Sequence, residues 1–184
     1  MALAFSRPFF RSNVNAANDP SAGKRVVLLL DTSASMQRKG LWKKALEQAR
    51  DTLKELTPAD SLAILTFDSQ TAALMRFDQW HELAEPNRLP AARESLNAIK
   101  AGWGGSHLGN AILTAAELLE ENEHVGPKQI VAITDLQEGS QLEGLQGHDW
   151  PEGMQLTLKA VKPKAAGNAG LQLKPLQETG DAET

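Results

Sequence analysis

The sequence contains no cysteine, which removes disulfides, zinc–thiolate centres and thiol nucleophiles together. That absence suits any compartment and so locates nothing. Histidine is nearly as scarce: the four residues stand at 81, 107, 124 and 148, and no two have a zinc-site spacing. No block rich in Lys or Arg occurs. The formal net charge of -4 and pI near 5.6 leave no electrostatic footprint for nucleic acid. Neither nucleotide fingerprint, G-x-x-x-x-G-K-[ST] or G-x-G-x-x-G, is found. The apolar start from Met1 to Phe10 falls well short of the roughly 20 residues that cross a bilayer. It also lacks the basic leader and small-residue cleavage site of a signal peptide.

What is present is ordinary for a globular protein: 184 residues, 41% apolar and 23% charged, enough for one domain with a real core. Residues 1–23 are an N-terminal segment with two readings. It is either an unstructured apolar start, which composition favours, or the end of a membrane helix with Arg7 and Arg11 at the interface, followed by a linker. The domain is expected over 24–162. The tail, 163–184, with GLQLKPLQ near its middle, is a final strand, the start of a following module, or without structure.

Within the domain, KRVVLLLD is a continuous apolar run ending on Asp31, and it reads as a strand buried on both faces. From Leu41 to Leu56 the period changes, and Leu41, Ala45, Leu46, Ala49, Leu53 and Leu56 mark one face of a helix that Pro58 stops. Ser61–Phe67 is a second buried strand. Thr71–Phe77 follows after a very short turn, so it is expected to be an antiparallel edge strand. A loop with Trp80 and two prolines leads to a helix near Ala91–Ala101, and the glycine-rich AGWGGS opens another over about Leu108–Glu123. Lys128–Thr134 is a third buried strand, ending beside Asp135. A short helix is expected near Ser140–Gly147, and a strand at Met154–Val161. Strands alternating with helices in this order imply an α/β fold. The expectation is a doubly wound, Rossmann-like, mostly parallel six-stranded sheet, with one antiparallel edge strand and helices on both faces.

Two buried strands therefore end on an aspartate, Asp31 and Asp135. In a doubly wound sheet ligands bind beyond the carboxyl ends of the strands, where strand order reverses. If these strands are neighbours there, the two carboxylates converge, and GGS brings Ser106 to the same side. In D-x-S-x-S the loop can turn Asp31, Ser33 and Ser35 to one side. Carboxylates and hydroxyls are hard donors, and Mg²⁺ takes about six oxygens at roughly 2.0–2.1 Å while keeping several waters. Such a cluster carries few negative charges, so a bound ion stays able to accept an outside carboxylate. The bland reading is an Asp and two Ser capping a turn. The matching GGS and ITD elements downstream favour the metal reading.

LLLDTSASM (Leu28 to Met36), GGS (Gly104 to Ser106) and ITD (Ile133 to Asp135) resemble the three pieces of the metal-ion-dependent adhesion site of von Willebrand factor A-type domains. The resemblance runs from Lys24 to about Val161. It implies that Ser33 and Ser35 bind the metal directly and that Asp31 and Asp135 act largely through water. Ser106 stands where the family has threonine, which loses a methyl that stiffens χ1. Leu136 replaces the family's usual glycine. The start ALAFSRPFF and the polar linker resemble the bacterial aerotolerance-type (Bat-like) membrane proteins. That implies a chain anchored in the cell membrane, with the domain facing the periplasm and with envelope proteins and a MoxR-type AAA ATPase as partners.

The leading expectation is thus a non-enzymatic protein-binding module whose Mg²⁺ (or Mn²⁺ or Ca²⁺) is completed by an Asp or Glu of the partner. A Mg²⁺-dependent phosphohydrolase using Asp31 as nucleophile is the alternative, but Ser33 stands where such enzymes carry a second aspartate as acid/base. A metal-free structural domain is the third. Asp68 reads as a hairpin-turn residue and His107 as a solvated loop residue. Trp80 and Trp103 each read equally well as a contact surface at the rim or as packing over helix ends.

Overall fold

In the computed structural model, described over residues 23–121, 126–136, 151 and 153–162, the run RVVLLLD forms β1 (Arg25–Asp31), with all seven residues buried. Its side chains alternate between two layers. Val26, Leu28 and Leu30 belong to one core cluster, Val27 and Leu29 to the other. A strand apolar on both faces must be central, because neither face can be left to water.

β1 pairs in parallel with β2 (Ser61–Phe67) on one side and β4 (Lys128–Thr134) on the other. β3 (Thr71–Met75) is antiparallel to β2, and β5 (Met154–Ala160) is parallel to β4, giving the order β3-β2-β1-β4-β5. Among the described residues the sheet has five strands, where six were expected. The sixth rested on the tail, which lies outside the described residues, as does the expected helix at 140–147.

The first face is covered by α1 (Leu41–Lys54), whose buried Leu41, Ala45, Ala49 and Leu53 repeat at helical spacing. It shares that layer with Ala92 and Leu96 of α3 (Glu85–Ala98) and with Trp80 of α2 (Phe77–Glu82). On the second face α4 (Leu108–Glu120) buries Leu108, Ala111, Ile112, Ala115 and Leu119.

Most boundaries fall within a few residues of expectation, and the exceptions have physical causes. The segment read as a proline-bearing loop before Ala91 is helical from Glu85. Pro86 sits in the first turn, where no backbone N–H needs a partner, and Pro90 removes only one donor further along. Phe77 begins α2 instead of ending β3, and the Gln79 side-chain oxygen caps the turn by accepting the Arg76 backbone N–H at 2.8 Å. Trp80, only 2% exposed, is core, and its indole donates to the Asp60 carbonyl at 3.1 Å.

Candidate functional site

The strand order reverses between β1 and β4, since the chain moves outward from β1 to β2 and returns on the far side to β4. The crevice beyond the carboxyl ends of these two strands is where a fold of this kind binds its ligand. Asp31 ends β1, and Asp135 directly follows β4.

Asp31 is fully buried and is the hub of the cluster. Its Oδ1 accepts the Ser33 backbone N–H at 2.8 Å, which turns the chain sharply off the strand. Its Oδ2 accepts the Thr134 hydroxyl at 2.6 Å and the Ser106 hydroxyl at 3.2 Å. A buried carboxylate holding three donors is a rigid fixture.

After Asp31 the loop enters a 3-10 turn at Ala34–Gln37, anchored by the fully buried Met36. That anchor leaves Ser33 and Ser35 facing one another, their hydroxyl oxygens 3.0 Å apart. The glycine-rich loop runs against the same segment. Ala34 N–H donates to the Gly104 carbonyl at 2.9 Å, Gly102 N–H to the Thr32 carbonyl at 2.6 Å, and the Gln37 amide to the Gly102 carbonyl at 2.6 Å. Gly104 is needed here because a Cβ would come within 2.8 Å of the Asp68 carboxylate. Asp68 keeps its turn role, accepting Gln70 N–H at 3.0 Å, while its carbonyl takes the His107 N–H at 2.8 Å at the entry to α4. It thereby braces the loop that delivers Ser106.

Asp135 completes the ring. Its side chain is 1% exposed, with Oδ2 paired to the guanidinium of Arg38. Oδ1 is buried with no hydrogen-bond partner among the described residues. Arg38 Nε in turn donates to the Ser35 carbonyl at 3.1 Å, tying the two loops together.

All five residues singled out from sequence, Asp31, Ser33, Ser35, Ser106 and Asp135, therefore meet in one connected cluster. Two further members escaped the sequence reading. Thr134 looked like one more β-branched residue of a buried strand, and Arg38 lies outside the D-x-S-x-S spacing. For Thr134 the available signal was a lone hydroxyl closing an apolar run beside an aspartate.

The cluster suits a hard divalent cation: three serine hydroxyls and two carboxylates, one of which has a buried oxygen that accepts no hydrogen bond among the described residues. Among the described residues no three His, Cys, Asp or Glu side chains gather as a metal site, so a cation at this cluster would need the hydroxyls as ligands. Trp103, 85% exposed, rides on the pinned glycine loop beside the cluster. Leu136, 42% exposed, follows Asp135 with φ of 48°, and among the described residues no other non-glycine has a positive φ. That backbone region suits the glycine it replaces.

A family model described as von Willebrand factor type A domain matches residues 26–139. The chain is 27% identical over 157 residues to inter-alpha-trypsin inhibitor heavy chain 4 of Mus musculus, a match that covers 78% of this chain and 15% of that protein. Among solved structures, it is similar to the conserved protein BatB of Bacteroides thetaiotaomicron, with TM-score 0.56 and 22% identity over 74% of this chain and 65% of that one. It is similar also to an aerotolerance-related membrane protein of Bacteroides fragilis, with TM-score 0.57 and 19% identity over 83% of this chain and 78% of that one. These likenesses show a shared fold. No helix among the described residues is long and apolar enough to cross a membrane.

Proposed function

Since this chain belongs to the von Willebrand factor type A domain family, a family of protein-binding modules, we propose that it captures its partner through a divalent cation held at the Asp31 cluster. Ser33, Ser35 and Ser106 would supply hydroxyl oxygens, with Asp31 and Asp135 acting behind them. A bound Mg²⁺ or Mn²⁺ supplies an electron-poor position that an Asp or Glu of the partner can fill. The chain's own residues do the rest. Asp31, held by three donors, fixes the spacing of the two loops. Met36 anchors the turn that holds the Ser33 and Ser35 hydroxyls against one another, and the pinned glycine loop presents Trp103 to whatever approaches.

The observation that carries the reading is Asp135 Oδ1, a buried carboxylate oxygen that meets no hydrogen-bond donor among the described residues. An acceptor so placed is costly unless a cation or water uses it. Asp31 is poorly suited to be a nucleophile, because it is fully buried and both oxygens already accept hydrogen bonds. That disfavours the phosphohydrolase alternative. By analogy with the membrane protein of Bacteroides fragilis, the domain would work at a cell membrane, facing the periplasm. Envelope proteins and a MoxR-type AAA ATPase are then the partners to test.

Calorimetric titration of Mg²⁺ and Mn²⁺ into the wild type, Asp31→Asn and Ser33→Ala tests the reading. Saturable binding to the wild type, lost in both folded variants, is expected. Binding that persists in both variants would place the ion elsewhere and remove the assignment.

A further inference from the structure

Arg38 carries no expectation from the D-x-S-x-S spacing, yet its side chain spans the candidate site. The guanidinium donates to the Ser35 carbonyl through Nε and to Asp135 Oδ2 through Nη2. About a third of the side chain is exposed, while that of Asp135 is almost wholly buried. One carboxylate is thus divided: Oδ2 faces a fixed cation, and Oδ1 is buried with no donor among the described residues.

We propose that Arg38 is a resident counter-cation of this site, competing with the divalent ion for Asp135 and so tuning the site toward anionic ligands. The inference rests on the metal reading above. Its physical basis is charge. Asp31, Asp135 and Arg38 leave the cluster with a single net negative charge, which a dication turns into a single positive one. One carboxylate from a ligand then neutralises it. Without Arg38 the two carboxylates would already balance the dication, and the pull on an outside carboxylate would weaken.

The opposite arrangement is also physically definable. If Arg38 only oriented Asp135, removing it would free the carboxylate to rotate and would weaken the ion's hold. The two differ in sign. A guanidinium and a dication sharing one largely buried carboxylate repel each other at short range, where water screens them less. Competition is therefore the expected winner.

The test is Mn²⁺ binding to the full chain by calorimetry and by water-proton relaxation, for wild type, Arg38→Ala, Arg38→Met and Arg38→Lys. Arg38→Met keeps the aliphatic stem, should the alanine variant fail to fold. The neutral variants are expected to bind Mn²⁺ about tenfold more tightly, a typical coupling between linked sites, with Arg38→Lys close to wild type. Without metal the neutral variants should unfold at lower urea, and Mn²⁺ should stabilise them more than it does the wild type. Wild-type binding that is unchanged or weakened in folded Arg38→Ala and Arg38→Met overturns the inference and leaves the metal reading standing. If neither the wild type nor any folded variant takes up Mn²⁺ at millimolar concentration, both fall.

Discussion

Thr134 offers the sharpest separation of stability from site geometry. Its hydroxyl is fully buried and donates to Asp31 Oδ2 at 2.6 Å, while accepting the Leu136 N–H at 3.3 Å. Thr134→Val keeps the shape of the side chain but removes the donor. A hydrogen bond to a charged group is worth about 1.5–3 kcal/mol. The extra buried methyl returns roughly 0.8 kcal/mol, so a net loss of about 1–2 kcal/mol is expected. Thr134→Ser keeps the donor and loses a buried methyl, costing about 1 kcal/mol. The two variants should therefore look alike in urea unfolding, with unchanged m-values. They should differ in metal affinity, because only valine releases Asp31. Loss of an outer hydrogen-bond partner typically weakens metal binding about 10- to 100-fold, and that loss is expected for valine alone. Equal Mn²⁺ affinities in the two variants would refute the view that Thr134 orients Asp31, whatever their stabilities.

Two other outcomes follow from the geometry. Asp60, just before β2, accepts the backbone N–H of Lys24 at 2.7 Å and of Thr57 at 2.8 Å. Asp60→Ala should then cost about 2–3 kcal/mol and Asp60→Asn about half that, since both donors lose a charged acceptor; an alanine variant within about 0.5 kcal/mol of wild type in urea unfolding would contradict this. At Leu136, whose φ is 48°, glycine should be more stable than alanine by about 0.5 kcal/mol. Both variants remove the side chain, and only alanine keeps the left-handed strain, which outweighs the extra chain entropy of glycine. Thermal unfolding of the pair reads the difference directly, and an alanine variant equal to or more stable than the glycine variant would show that the backbone there is not strained.

The parts of the fold that were legible in the sequence are those where one physical demand dominates. RVVLLLD and SLAILTF are apolar at nearly every position, and nothing but a strand covered on both faces uses such a run, so β1 and β2 could be placed almost to the residue. The α1 face was equally plain because Leu41, Ala45, Ala49 and Leu53 repeat at helical spacing with charges between them. Where two demands compete, the sequence reading slipped. Pro86 and Pro90 speak for a loop, but burial of Ala92 and Leu96 against the first core layer carries the helix through them. Trp80, among polar residues, and Trp103, among glycines, both stand in segments that read as loops. Only the tertiary fold separates a tryptophan sealed into the core from one left on a glycine loop.

The same distinction explains what was missed at the site. Asp31, Ser33, Ser35, Ser106 and Asp135 are polar residues at the ends of apolar strands or at the mouth of a helix, and such interruptions are visible in one dimension. Thr134 and Arg38 matter for reasons that exist only in three dimensions. Thr134 is close to Asp31 because β4 lies beside β1, and Arg38 reaches Asp135 because the 3-10 turn folds back over the strand ends. Both touch an aspartate side chain, and among the described residues neither bonds a serine hydroxyl. It follows that the Ser33 and Ser35 hydroxyls are set by local sequence, whereas Ser106 and the charge and aim of the two carboxylates are set by packing. Two domains sharing D-x-S-x-S could then bind an ion with different strength, and the partners of the aspartates are where the difference would arise.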